Sequence, residues 1–369
     1  MYKAYKYRIK PTKAQELKLN QFFGCSRFIY NWGLNRKSEV YSNEDKNLSV
    51  FDLMREVTQL KKDENFTWLK DSNAQILQIS LRNLDNAYTS FFKKKSGFPK
   101  FKKKSNSQSF QYPQGVKVNE NKVFLPKIGW VKFFNSRDFT GDIKTVTVSK
   151  NPSGEYYVSI LVDNNQELPA KKPIQKSTAV GLDFGIKDLV ITSDGEVFEN
   201  QKHFHKMKAK LKVAQRSLAR KQKGSKSRER QRLKVAKLYQ KVTNQRMDYL
   251  HKISTYLVNT YDTICTEDLS VESMLKEKRL SSLISDASWS TLRQILDYKC
   301  SWYGKNLQVI RRFEPSSKRC NSCGNIKQSL LLSERVYHCE KCKASMDRDL
   351  NAALNIKDYG LGHNLCTLT

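Results

Sequence analysis

Two groups of side chains in this sequence are of types and spacings that could do chemistry. Cys320 and Cys323, then Cys339 and Cys342, form two CxxC turns fifteen residues apart, and each turn can offer two sulfurs to one edge of a tetrahedron. This is the spacing of a zinc ribbon. Gly324 gives the first turn a permissive backbone, and Lys318, Arg319, Lys341 and Lys343 surround the sulfurs with positive charge. Four thiolates close the coordination sphere, so the Zn²⁺ is expected to be structural. The second group is acidic. Asp183 ends an apolar run in Gly181-Leu182-Asp183-Phe184-Gly185, Glu267 ends Thr263-Ile264-Cys265-Thr266, and Asp347 and Asp349 open MDRDLNAALNI. Each acid alone reads as strand-end exposure or helix capping. Brought together they would repel one another and bind protons unless divalent metal intervened, and oxygen ligands suit Mg²⁺ or Mn²⁺. The chemistry of such a cluster is two-metal phosphodiester hydrolysis, one ion activating water and the other stabilising the leaving 3′ oxygen. The glycines flanking Asp183 are expected to leave room for a ligand or metal.

The elements that must position these acids can be read from pattern. From Ser177, STAVGLDFGIKDLVITSDGEVFE offers three short strands, the last two joined at Ser193-Asp194-Gly195. A basic helical segment follows, then the apolar strand ending at Glu267, a helix over Trp289–Tyr303, the strand NLQVIRRF, the cysteines, and a last helix from about Asp347. That is the order of an RNase H-like fold, in which the three acidic points converge. Upstream, KAYKYRIK alternates like a strand, helical spacing runs to about Phe92, and Ser109–Asp163 is rich in short strands, which predicts a small antiparallel barrel. If the first strand joins that barrel, the helical region is an insertion in it. Residues Asn164–Lys176 read as a linker.

Charge names the class of partner. The formal net charge is +31, from 67 Lys and Arg against 36 Asp and Glu, which points to a polyanion. No apolar run reaches the roughly 18 residues a spanning helix needs, and the amino terminus lacks a signal-peptide core, so a soluble intracellular protein is expected and the membrane is excluded as partner. Cys25, Cys265, Cys300 and Cys366 are scattered and read as free thiols of a reducing compartment. Two basic stretches are candidate nucleic-acid contacts. Lys93, Lys94, Lys95, Lys100, Lys102, Lys103 and Lys104 crowd twelve positions with Phe98, Pro99 and Phe101 between them, a pattern suited to a backbone-tracking groove. Lys202–Lys241 holds sixteen Lys and Arg, among them Arg216, Arg220, Arg228 and Arg232, against the single acid Glu229. Gly224-Ser225 predicts a turn between two helices there, or a bend in one.

Taken together, GLDFGIKDL, ICTEDLSV, the CNSCG and CEKC turns and MDRDLNAALNI resemble the TnpB family of transposon-encoded nucleases, compact relatives of the type V CRISPR effectors. YRIKPTKAQ and FFGCSRFIYNWGLN near the amino terminus are similar too, so the resemblance spans nearly the whole chain. It implies a multidomain α+β and α/β protein: a β-barrel wedge domain over 1–10 and 105–170, a helical recognition domain over 11–104 inserted in it, a split RNase H-like (RuvC) domain over 177–315 and 346–358, a zinc-ribbon insertion over 316–345 that binds target nucleic acid, and a tail over 359–369. It assigns catalysis and Mg²⁺ binding to Asp183, Glu267 and Asp349, with Asp347 the competitor for the third role. It further implies an RNA-guided DNA endonuclease of a bacterial or archaeal insertion sequence, acting in the nucleoid-bearing cytoplasm as a monomeric ribonucleoprotein. Its partners would be a guide RNA from the transposon end and double-stranded target DNA beside a short adjacent motif, for which Gln78 and Arg82 are candidate readers. Two alternatives stand beside this expectation. One is an RNase H-like strand-transfer transposase; the other is a cleavage-incompetent RNA-guided DNA-binding repressor.

Overall fold

The computed structural model describes residues 1–365 apart from Asn106, Lys278, Arg279 and Leu332; Cys366 and the end of the expected tail lie outside the described residues. The chain forms two compact units, Met1–Glu167 and Leu168 onward.

The first unit opens with β1 (Tyr2–Lys10), α1 (Lys13–Glu44), α2 (Val50–Leu60) and α3 (Ala74–Phe92). Helix α1 starts where it does because Thr12 and Gln15 cap each other's backbone N–H reciprocally. Strands β2 (Gln108–Tyr112), β3 (Lys117–Asn119), β4 (Lys122–Leu125), β5 (Gly129–Phe133), β6 (Asp142–Lys150) and β7 (Tyr156–Asp163) follow, and the sheet order is β2-β6-β7-β1-β5-β4-β3. Strand β1 lies at the centre, antiparallel to β7 over Tyr2–Ile9 and to β5 at Ile9 and Lys10. The three helices are therefore inserted between two strands of one sheet, as the alternation of KAYKYRIK predicts. One face of the sheet, with Tyr7, Phe110, Val131, Phe133, Val148 and Ile160, builds a single core that also takes Leu19 and Phe22 of α1. The expected barrel is not closed by pairing: among the described residues β2 and β3 are the two ends of the order, and β3 is only three residues long.

The second unit contains β8 (Ala179–Asp183), β9 (Asp188–Thr192), β10 (Val197–Glu199), α4 (His203–Ala219), α5 (Lys226–Thr260) and β11 (Thr263–Glu267). After them come α6 (Val271–Met274), α7 (Ser281–Ala287), α8 (Trp289–Trp302), β12 (Asn306–Ile310), β13 (Val336–His338), β14 (Ser345–Asp347) and α9 (Arg348–Leu365). The five-stranded sheet runs β10-β9-β8-β11-β12, with β8, β11 and β12 parallel and β9 and β10 antiparallel. Its apolar strands are covered on both faces, as parallel strands require. Val180, Leu182 and Ile264 meet Leu250, Ile253, Leu257, Leu292 and Leu296 of α5 and α8. Cys265 and Ile310 meet Ile356 and Tyr359 of α9.

Helices α4 and α5 form the expected hairpin, turning at Gly224 with φ +85°. The polar linker is pinned to the second unit, where the Lys172 N–H donates to the Gly304 carbonyl at 2.8 Å. The last helix does not stop at Asp358 but runs to Leu365, because Tyr359 and Gly360 still pack on the sheet. No described helix is long and apolar enough to cross a membrane.

Candidate active site and zinc centre

Period-two geometry decides where the acids go. Gly181 and Asp183 share one face of β8, and Cys265 and Glu267 share one face of β11. The parallel register sets Gly181 beside Cys265 and Leu182 beside Thr266, so Asp183 and Glu267 end neighbouring strands on the same face. That face is covered by α9. A Cβ placed on Gly181 would lie 2.0 Å from the Ala353 carbonyl oxygen and 2.7 Å from the Lys357 nitrogen, so the helix backbone lies directly on the strand at this glycine. Asp349 precedes Ala353 by one helical turn, and Asp183 follows Gly181 by one pleat repeat. The strand–helix contact at Gly181–Ala353 thus carries Asp349 towards Asp183. Gly181 makes room for α9, and Gly185 for the Asp188 carbonyl, 2.6 Å from where its Cβ would stand. The expectation that these glycines clear space for a ligand is corrected: they permit backbone contact.

Asp183 senses the other two carboxylates. Burial first, then the charges of Glu267 and Asp349, push the Asp183 carboxyl well above the usual range, and the Arg348 guanidinium opposes them. Burial also raises Glu267, while the Ser316 hydroxyl, which donates to Glu267 Oε1, pulls it back down. Asp349 lies beside Arg348 at 3.2 Å and Arg335 at 3.9 Å. Asp347 ends β14 and caps α9, its Oδ1 accepting from the N–H groups of Asp349 at 2.9 Å and Leu350 at 3.0 Å. Asp268, next to Glu267, is held ionised by Arg293 at 2.7 Å and Arg312 at 2.6 Å. A half-buried acid whose pKa is raised by burial and by like-charged neighbours is a position that divalent metal can stabilise.

The cysteines form the second centre. Sγ of Cys320 lies 3.7 Å from that of Cys342, Sγ of Cys323 lies 3.5 Å from that of Cys339, and all four sulfurs fall within 4.8 Å of one another. A tetrahedron with Zn–S bonds of about 2.3 Å has edges of roughly 3.8 Å, so the donor set fits Zn²⁺. Among the described residues no other cluster of candidate ligand atoms is drawn together in this way; the carboxylates interact at longer range. The two knuckles are built alike. Gly324 N–H donates to the Cys320 carbonyl and Lys343 N–H to the Cys339 carbonyl, at 2.9 and 3.0 Å, and both residues are left-handed, with φ +75° and +61°. Sequence flagged Gly324 and missed Lys343, because nothing in a lysine announces positive φ. A strong chelator should strip hydrogen-exchange protection from β13 and β14 while β8, β11 and β12 keep theirs, and added Zn²⁺ should restore it. Unchanged protection in the hairpin would mean that metal does not hold the ribbon.

Comparison with known proteins now adds to this geometry. A family profile described as "Probable transposase", the OrfB protein of IS605-type elements, matches residues 158–278. A "Cas12f1-like, TNB domain" profile matches 289–356, and a "Helix-turn-helix domain" profile of the same OrfB group matches 1–46, residues that fold here as β1 and the single helix α1. A Streptomyces pristinaespiralis protein named "Putative RNA-guided DNA endonuclease" is 38% identical over 99% of this chain and 90% of its own length. The chain belongs to the TnpB family. The Escherichia coli K12 protein named "Putative RNA-guided DNA endonuclease InsQ" is 35% identical over 97% of the TnpB-family chain and 92% of its own. Among solved structures, the Cas12f1 chain of a complex with sgRNA and target DNA shares the fold at TM-score 0.60, with 13% identity, over 97% of this chain and 98% of that one.

In this TnpB-family chain the candidate nucleic-acid residues are distributed as follows. Gln78 and Arg82 are exposed one turn apart on α3. Lys93, Lys94, Lys95, Lys100, Lys103 and Lys104 are exposed beside Phe92, Phe98 and Phe101. Lys102 is exposed as well but held in place: its ammonium lies 3.9 Å over the Tyr30 ring, and its backbone N–H donates to Asn31 Oδ1 at 2.8 Å. On the arm Arg216 and Arg220 are exposed, Arg228 donates to the Leu218 and Lys221 carbonyls at the end of α4, and Arg232 pairs with Glu229 at 2.6 Å. Sequence reading gave no role to Ser316, Asn351 and Asn355, although the last two lie within MDRDLNAALNI; all three are buried, and Ser316 donates to Glu267.

Proposed function

We propose that this protein is an RNA-guided DNA endonuclease of a prokaryotic insertion sequence, cutting target DNA at a carboxylate site formed by Asp183, Glu267 and Asp349. The observation that carries this reading is the placement of Asp183 and Glu267 on adjacent parallel strand ends, under the helix that brings in Asp349. Full-length relatives of the TnpB family named as RNA-guided DNA endonucleases support it. Mg²⁺ or Mn²⁺ ions held by these three residues would supply an activated water and stabilise the leaving 3′ oxygen. The chain's own work is to hold the carboxylates at fixed strand and helix ends, to bury Asp183 enough that it favours a cation over water, and to keep Asp268 out of the site by pairing it with arginines.

The two units support a division of labour. The antiparallel sheet, over 1–10 and 105–170, would be the wedge, with the helices over 11–104 as recognition insertion. The five-stranded sheet with α9, over 177–315 and 346–358, would be the nuclease, and 316–345 the zinc-bearing insertion that follows target DNA. The net charge of +31 suits two polyanionic partners at once, a guide RNA from the transposon end and a duplex target. Gln78 and Arg82, exposed on α3, would read base edges next to the target, while the exposed lysines after α3 and the arginines of the arm would follow backbones. A monomeric ribonucleoprotein is the simplest assembly consistent with one such site.

The family description as a transposase keeps strand transfer as the second reading. The two separate in one assay: cutting directed by RNA that co-purifies with the protein supports the endonuclease, whereas joining of transposon ends without RNA supports the transposase. A repressor would bind and do neither.

A further inference from the structure

Glu267 receives its hydrogen bond from Ser316, and Ser316 belongs to the ribbon side of the molecule. The turn from Pro315 to Arg319 leads straight into Cys320, with the Arg319 N–H donating to the Pro315 carbonyl at 2.9 Å. Two fully buried side chains of α9, one turn apart, grip that turn. Asn355 Nδ2 donates to the Ser316 carbonyl at 2.8 Å and to the Arg319 carbonyl at 2.6 Å. Asn351 Nδ2 donates to the Arg319 carbonyl at 2.7 Å, and its Oδ1 accepts the Asn321 N–H at 3.0 Å, within the first CxxC turn. Arg319 closes the circuit by donating to Asn355 Oδ1 at 3.0 Å.

A buried amide costs free energy unless its donors and acceptors find partners, and here they are spent on one segment of backbone. A well-satisfied buried network of this kind fixes a unique register more than it adds stability. Its output is the orientation of one hydroxyl. Ser316 is itself buried, its peptide is anchored by Asn355, and its Oγ occupies one oxygen of Glu267. The other oxygen of Glu267 is left free of this bond, on a strand end that neighbours that of Asp183.

We infer that Ser316 is a positioning residue for Glu267, and that through Asn355 and Asn351 the folded zinc ribbon sets how tightly the carboxylate site holds its divalent cation. This rests on the reading of Asp183, Glu267 and Asp349 as metal ligands. Outer partners of metal ligands typically change affinity or activity by about tenfold to a hundredfold.

The test uses the full chain with its co-purified nucleic acid, and titrates Mn²⁺ by electron paramagnetic resonance alongside the Mg²⁺ concentration needed for half-maximal cutting. Asp183→Asn serves as reference, because loss of Mn²⁺ binding in that variant establishes the site independently of Ser316. Ser316→Ala should weaken Mn²⁺ binding by about tenfold and raise the Mg²⁺ requirement in step, with zinc content unchanged, and Ser316→Thr should restore both. The inference is overturned if Asp183→Asn weakens Mn²⁺ binding and Ser316→Ala does not, or if the Ser316→Ala defect tracks loss of zinc. If Asp183→Asn itself binds Mn²⁺ like the unaltered chain, the metal-site reading falls and this inference with it.

Discussion

Asp183→Asn should abolish cutting, by about a thousandfold or more, and at the same time make the metal-free protein more resistant to heat at neutral pH. The two effects share a cause. Burial, then Glu267 and Asp349, raise the Asp183 pKa above its value in the unfolded chain. The stability linked to a carboxyl with a raised pKa is fully present below the unfolded value, near 4, and is lost as pH rises through the folded value. At neutral pH the Asp183 carboxyl therefore burdens the fold, and an amide of the same shape, which takes up no proton in either state, does not. Catalytic sites commonly carry such a conflict between activity and stability. A gain of a few degrees in thermal midpoint is expected, since roughly 2–4 °C accompanies each kcal/mol in a unit of this size. Adding Mn²⁺ should raise the midpoint of the unaltered protein and leave the variant where it was. A variant that melts no higher than the parent at pH 7.5 without metal, or that still responds to Mn²⁺, would count against the carboxylate arrangement.

Gly181→Ala should be nearly as damaging to activity although it touches no acid. The new methyl would meet backbone, the Ala353 carbonyl at 2.0 Å and the Lys357 nitrogen at 2.7 Å, and neither can turn aside as a side chain can. Helix α9 must lift from β8, and Asp349 moves with it. Overpacking of this kind costs about 1–3 kcal/mol and sometimes more, and a displacement of about 1 Å at a catalytic group can lower the rate roughly a hundredfold. Gly362→Ala is the control, since a methyl on this glycine of the same helix would meet nothing within 4 Å. Urea unfolding and single-turnover cutting check both. Gly181→Ala with parental stability and rate would mean that α9 does not deliver Asp349 through this contact.

Much of this was legible in the sequence, for reasons that differ by element. Strand ends, the linker, the basic hairpin and the cysteine spacing follow from local chemistry: period-two apolar runs, Gly224, charge density, and two CxxC turns. The order of elements then brought Asp183 and Glu267 to neighbouring strand ends. What could not be read is what depends on contact at a distance. Gly181 resembles a ligand-clearing glycine until α9 is seen lying on it, and that one oxygen of Asp347 caps the N–H groups of Asp349 and Leu350 shows only in the fold. Lys102 resembles its six neighbours until Tyr30 lies under it. Asn351 and Asn355 show only as polar residues on a helix, and their burial against the ribbon is a tertiary fact. The open seam between β2 and β3 likewise turns on strand pairing that no local pattern specifies.

The most direct measurement is end mapping. The purified protein with its bound RNA is mixed, in Mg²⁺, with linear duplex DNA carrying the sequence matched by that RNA, and with a duplex in which that sequence is scrambled. Cutting of both strands of the matched duplex only, leaving 3′-hydroxyl and 5′-phosphate ends and stopping with EDTA or with Asp183→Asn, is the result expected here. Joined strands, cutting that ignores the match, or binding without cutting would contradict it.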